Sequence, residues 1–232
     1  MTNQRNPIRS FALVPLALAL AAGCEEERDI EPEPSPEAEQ GAAAPVAEGD
    51  EPEAEGPRAD IPDEAYGKYE IDPVHSSFVF AGKHFDVSYT YGMFSDVKGR
   101  FELAEEPSES SIEIEVAADS LFSGDKKRDD DLEGPDFLNV KQFPKITFES
   151  TKVTPTEDGF EVAGNLTLRG QTKPATVKMT HVGSGEVPMD DSYRTGFRGD
   201  LSIDRHEFGI TAMPPVVGSD IELIASIEGI KK

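Results

Sequence analysis

Cysteine occurs once in the 232 residues, at Cys24, so an internal disulfide, a CxxC redox pair and a cysteine-built zinc site are all excluded. Long apolar runs are also scarce. The longest, from Phe11 to Ala22, contains Pro15 and falls short of the roughly twenty residues that a membrane-spanning helix needs. Histidine is limited to His75, His84, His181 and His206, without the HExxH-like or paired spacing that sets two ligands on one metal, so no metal site is expected. No Gly-x-Ser-x-Gly elbow accompanies the serines, and no catalytic residue is expected. Basic residues number 22 against 46 acidic ones, a net charge of −24 that argues against nucleic acid as a partner.

That charge is unevenly spread. Residues 25–65 hold sixteen Asp and Glu against Arg28 and Arg58, whereas residues 66–232 hold thirty acidic and eighteen basic residues, a net of −12. The stretch from Glu25 to about Glu64 is built of Glu, Ala, Pro and Gly with almost no large apolar side chain. Such a chain cannot bury enough surface to offset its ordering entropy, and a disordered acidic tether is expected over residues 24–65.

Ahead of it, Arg5 and Arg9 precede the apolar run, which ends in Ala21, Ala22 and Gly23 before Cys24. This is the layout of a secretory signal peptide over residues 1–23. Leu20-Ala21-Ala22-Gly23-Cys24 resembles a bacterial lipobox, in which the cysteine sulfur receives a diacylglyceryl group, although the usual Leu stands one position early here. The only cysteine lies where the leader ends. Lipidation of Cys24 and an exported, membrane-anchored protein of the cell envelope, in the periplasm or at the outer membrane, are therefore expected, several acyl chains sufficing for stable anchoring.

After Tyr66 the pattern changes to short segments of alternating apolar and polar residues separated by Gly, Pro, Asp and Asn, the signal of half-buried antiparallel strands. The alternation is clearest at Phe78 and Phe80; Ile112, Ile114 and Val116; Ile146 and Phe148; Val162, Leu166 and Leu168; Phe197, Leu201 and Ile203; and Ile221, Leu223, Ala225 and Ile227. Between Phe122 and Phe143 it breaks, and one or two short helical turns are expected there. Residues 66–232 thus predict one all-β domain, an antiparallel barrel of about eight strands, since closure removes exposed edges and leaves room for one small ligand.

Several blocks then stand in a telling order: Tyr69-Glu70-Ile71-Asp72-Pro73-Val74-His75-Ser76, followed by Phe78, Phe80, Lys83 and His84; Gly99-Arg100-Phe101; Arg128-Asp129 and Leu132; Asp136-Phe137-Leu138; Phe143-Pro144-Lys145-Ile146-Thr147-Phe148. Gly164 to Gly170, Thr172-Lys173-Pro174, Ile203-Asp204-Arg205 and Phe208-Gly209-Ile210 complete it. Together they resemble the YceI family of bacterial proteins over Tyr69 to Ile230, with Tyr69 where that family often has Trp. The resemblance implies an extended, lipocalin-like antiparallel barrel. Its long hydrophobic interior would hold an amphiphile such as an isoprenoid quinone, an isoprenoid pyrophosphate or a fatty-acid derivative, bound non-covalently and with no other cofactor.

Alternation places Phe78, Phe80, Phe101, Ile112, Ile114, Phe148, Leu166, Phe197 and Leu201 on inward faces, and these nine are the candidate cavity wall. His75 and His84 are the candidates for contact with a polar head group. Two pairs in the resembling blocks, Arg128 with Asp129 and Asp204 with Arg205, read as ion pairs that pin loops. The leading function is therefore a carrier or sequestering protein and not an enzyme. The alternative is a scaffold with a filled barrel whose acidic surface meets a basic envelope partner; a homodimer stays open in either case.

Overall fold

The computed structural model describes residues Asp60–Lys232. The expected signal peptide, Cys24 and the tether up to residue 59 lie outside the described residues. Ile61 and Ala65, ahead of Tyr66, pack against the core around the short 3-10 turn Asp63–Ala65.

The strands are β1 (Gly67–Ile71), β2 (Ser77–His84), β3 (Ser88–Phe94), β4 (Val97–Leu103), β5 (Ser111–Ala117), β6 (Leu121–Phe122), β7 (Lys145–Pro155), β8 (Gly159–Leu168), β9 (Gln171–Val187), β10 (Ser192–Asp204) and β11 (Val217–Lys231). The helix α1 (Lys126–Glu133) lies between β6 and β7. All pairings are antiparallel, and eight strands close a ring in the order β1, β4, β5, β7, β8, β9, β10, β11, with Tyr69 of β1 opposite Lys231 of β11. The expected closed, lipocalin-like all-β barrel is thus the observed fold.

The other three strands extend this wall at one end. β2 follows β1 along the same edge of β11, β3 pairs with β2 and runs on into β4, and β6 pairs with β3 after β5. The first three barrel strands are therefore long strands, each broken once. At the first break Pro73 has no N–H for a ladder, and the Asp72 carboxylate accepts the Val74 N–H at 2.9 Å. At the third, Ser120 Oγ donates to the Ala117 carbonyl at 2.7 Å across the turn Ala118–Ser120.

The helical insertion starts where the alternation fails. Asp125 caps α1 by accepting the Arg128 N–H, satisfying one of the orphan donors of the first turn. Lys126–Asp130 and Lys127–Asp131 pair one turn apart on its exposed surface. The chain then returns to β7 through Phe137 and Leu138, which pack inward.

At the end away from α1 the barrel interior is filled with rings. Tyr69 stacks on Phe101 with centroids 4.8 Å apart, Phe101 meets Phe197 edge-on at 5.8 Å, and Phe160 and His181 lie 6.1 and 5.3 Å from Phe197. Each such aromatic pair adds about 0.5–1.5 kcal/mol beyond the burial of its area. Gly229 of β11 makes room for this floor, since a Cβ there would stand 2.4 Å from the Phe101 ring.

Candidate ligand-binding site

Above the aromatic floor the barrel is not filled. A cavity of about 540 Å³ extends toward α1, within the range of small-molecule sites. Seven of the nine residues expected on its wall are there: Phe78 and Phe80 from β2, Ile112 and Ile114 from β5, Phe148 from β7, Leu166 from β8 and Leu201 from β10. Period-two alternation aims each inward, and closure of the ring brings these five strands around one space.

Phe101 and Phe197 do not line it. They face inward as expected but belong to the floor, where they pack on each other and on Tyr69. Alternation fixes the face of a side chain, not its depth along the barrel axis.

Further wall residues come from segments with weak alternation. Val177 and Met179 project from β9, a strand rich in Thr and Lys, and Phe94 from β3. Leu132, Phe137 and Leu138 approach from α1 and the segment after it. The signal for the last two was their place in the Asp136-Phe137-Leu138 block; nothing in local periodicity gives it.

The polar side chains gather at the α1 end: Lys83, His84, Asp125, Lys127, Arg128 and Asp131 border the opening. Most are already engaged. Lys127 pairs with Asp131 at 2.8 Å. Arg128 donates to Ser123 Oγ and to the Ser123 carbonyl at 2.7 and 2.6 Å, while Asp129 accepts from the Ser123 N–H at 2.9 Å. Arg128 and Asp129 thus pin the loop by converging on Ser123 and not, as expected, by pairing with each other.

Asp204 and Arg205 likewise form no ion pair. Asp204 accepts the His206 N–H at 2.9 Å, and the buried Arg205 guanidinium donates to the carbonyls of Ile210, Gly218 and Val217. A short backbone turn offers these donors closer acceptors than the neighbouring carboxylate. Burial lowers the Arg205 pKa.

The two head-group candidates separate. His84 ends β2 and borders the cavity opening, whereas His75 lies before the opposite end of β2, away from the cavity lining. His75 Nδ1 bonds to Asp72 at 2.8 Å, and Arg194 donates to Asp72 and Glu228 at 2.6 and 2.5 Å and to Asp190 at 2.8 Å. Burial opposes ionisation of Asp72, but hydrogen bonds from His75, the Val74 N–H and Arg194 outweigh it and hold the pKa at about 2. The Asp72 bond raises the pKa of His75. Asp72, His75 and Glu228 bring three ligand-type atoms within 4.8 Å, yet the guanidinium of Arg194 already stands where a cation would neutralise the two carboxylates.

His181 sits beside the floor, with Nε2 at 2.8 Å from Ser184 Oγ, which in turn lies 2.6 Å from the buried Thr195 Oγ1. Burial lowers its pKa, so the neutral ring is favoured.

The YceI-like domain profile matches residues 69–229. A UPF0312 protein of Pseudomonas aeruginosa is 37% identical over 167 residues, which cover 71% of this chain and 87% of that protein. Among solved structures, BcnA of Burkholderia cenocepacia superposes with a TM-score of 0.62 at 22% identity, covering 68% of this chain and 98% of the other. A polyisoprenoid binding domain of Saccharophagus degradans, implicated in plant cell wall breakdown, gives a TM-score of 0.52 at 11% identity, covering 71% and 98%. At these identities the likeness to the solved structures is one of fold.

Proposed function

This chain belongs to the YceI-like family, and from that premise we propose that its barrel binds an apolar amphiphile, isoprenoid or acyl in kind, as a carrier or sequestering protein held to the cell envelope through Cys24. The observation that carries the reading is the 540 Å³ cavity, walled by Phe, Ile, Leu, Val and Met side chains between an aromatic floor and a polar rim. A tail inside it gains about 0.8 kcal/mol for each methylene taken from water, without any specific polar contact. The polar rim is suited to a head group and the dry wall to a tail. The Saccharophagus degradans domain of the same fold is described as polyisoprenoid-binding, which supports an isoprenoid class of ligand here. An open interior speaks against the filled-barrel scaffold, and the Arg128 and Arg205 side chains at the site are committed to Ser123 and to backbone carbonyls in a way that suits binding, not turnover.

The experiment is native purification of the described residues 60–232 from a bacterial host, organic extraction and mass spectrometry of what was bound. An isoprenoid or acyl species at near-stoichiometric amount is expected. A folded protein that yields none, and that takes up no apolar probe after purification, would end the carrier reading.

A further inference from the structure

The three-residue connection between β2 and β3 turns at Phe85 and Asp86, with φ of 51° and 54°, and is closed by the Val87 N–H donating to the His84 carbonyl at 3.0 Å. A turn with two positive φ angles favours Asn-Gly, and a bulky residue there is strained. The ring meets His84 edge-on with centroids 4.6 Å apart, and Phe85 is 53% exposed, next to Val87 at 85%. On the β10–β11 connection, Met213 lines the cavity and is nonetheless 52% exposed. Tyr89 and Tyr91 continue from the hairpin tip along the exposed face of β3, where Tyr89 lies opposite Lys83.

Scattered exposed apolar residues are ordinary, whereas a concentration of them at one place marks an interaction surface. Here that place is the rim through which an apolar ligand enters. Among the described residues the remaining exposed large apolar side chains are Phe122, on β6 beside β3, and Val74, Val182 and Met189, which lie in the β1–β2 bend, in β9 and in the β9–β10 turn.

We propose that this rim docks on the headgroup region of a lipid bilayer, with Phe85, Val87 and Met213 entering the interface and Tyr89 and Tyr91 standing at headgroup level. The proposal rests on the reading of the cavity as lipid-binding. A water-insoluble ligand that passes between bilayer and barrel avoids the aqueous step only if the opening meets the membrane. Tyrosine has the amphipathic ring that settles at such interfaces, and an apolar insertion of about 5–10 Å is the depth of an interfacial segment. Charge favours this occupant over a second copy. Two domains of net −12 repel each other, whereas a zwitterionic lipid surface does not, and Lys83 at the opening, loosely paired with Asp86 at 4.0 Å, is placed to meet its phosphates.

The test uses residues 60–232, which contain the whole core described above, in flotation with vesicles of phosphatidylcholine and of phosphatidylethanolamine mixed with phosphatidylglycerol. The informative variant combines Phe85→Asn with Asp86→Gly, which improves the turn while removing the ring, alone and with Val87→Ser, a residue outside the cavity lining. Wild-type protein is expected to float. The variants should lose at least about tenfold in bound fraction, the effect of withdrawing one buried apolar side chain, with an unchanged or higher melting temperature and unchanged uptake of a soluble pyrene-labelled acyl probe. Failure of the wild type to float, or equal flotation of the variants, overturns the proposal. So does a concentration-dependent dimer in sedimentation velocity that the variants dissolve without any flotation of the wild type, which assigns the rim to a second copy. Flotation that depends on Phe85 without probe uptake overturns the lipid-cavity reading and leaves the docking face standing; probe uptake without flotation does the reverse.

Discussion

Arg205 donates from Nη1 to the Ile210 carbonyl at 2.7 Å inside the protein, and its other two nitrogens reach Gly218 and Val217 at 2.8 and 2.9 Å. One buried side chain therefore ties together both ends of the connection between β10 and β11, the segment that carries Met213 past the cavity opening. Replacing it by Met should leave three carbonyls short of a donor, at about 1–3 kcal/mol for each one left buried. An overall loss of about 3–5 kcal/mol in urea denaturation is expected, with Arg205→Lys restoring only part of it because an ammonium lacks the planar fork. A loss below about 1 kcal/mol for Arg205→Met would show that water replaces the guanidinium and that the clamp is dispensable.

His75 and His181 should titrate on opposite sides of the ordinary histidine value of 6.5, the first above it through its bond to Asp72, the second below it through burial. Their linkage to stability has opposite signs. The contribution of His75 is fully present below pH 6.5 and is lost as pH rises through its higher folded value. That of His181 is present above pH 6.5 and is lost as pH falls toward its lower folded value. Asp72, held at about 2, stabilises the protein above its ordinary 3.8, and this is lost as pH falls through the window between them. NMR titration of the ring protons checks the order of the two histidines. Asp72→Asn should bring His75 down and flatten the acid limb of the stability profile; a His75 titration unmoved by that change would dismiss the coupling.

Gly229 faces the aromatic floor from β11, and an added methyl would meet Phe101 at 2.4 Å and the Tyr69 Cβ at 2.9 Å. Those rings are stacked and buried, so neither can swing away without opening the floor. Gly229→Ala should therefore cost about 1–3 kcal/mol, the usual range for overpacking a core, read as a fall in the thermal midpoint of several degrees. A neutral result would mean that the stack gives way easily and is not what closes this end.

The barrel was legible in the sequence because alternation survives wherever one strand face is buried and the other wet. Ile112, Ile114 and Val116, or Ile221 through Ile227, announce their strands unaided. β9 does not, because its exposed face is Thr and Lys and its inward face offers few large apolar residues before Val177 and Met179. The broken early strands were hidden too: β1 and β2 form one edge in space but are separated in sequence by Asp72 to Ser76. The site was legible in part. Period two names an inward residue without its height, so it does not separate the cavity wall from Phe101 and Phe197, which lie beneath it. The two histidines of one sequence block, nine residues apart, lie toward opposite ends of an eight-residue strand. Arg128 and Arg205 stood out in the sequence, but their partners are backbone groups and Ser123, and hydrogen bonds to carbonyls leave no trace in residue type.

Wall and floor should come apart under mutation. Val177 is half-buried on the wall, with open cavity in front of it, so Val177→Trp fills space instead of displacing neighbours. Bound ligand recovered after purification should fall at least about tenfold, since a wide apolar tail gains its affinity from the area it buries, while the melting temperature changes little or rises. Phe197 touches Phe101, Phe160 and His181 but not the cavity. Phe197→Leu should instead cost about 1–3 kcal/mol of stability through the vacated ring volume and leave the recovered ligand unchanged. Extraction with mass spectrometry and thermal denaturation on the two variants decide the matter together. Ligand loss from the floor variant at full stability, or ligand retained behind the tryptophan, would move the binding surface away from the interior assigned to it.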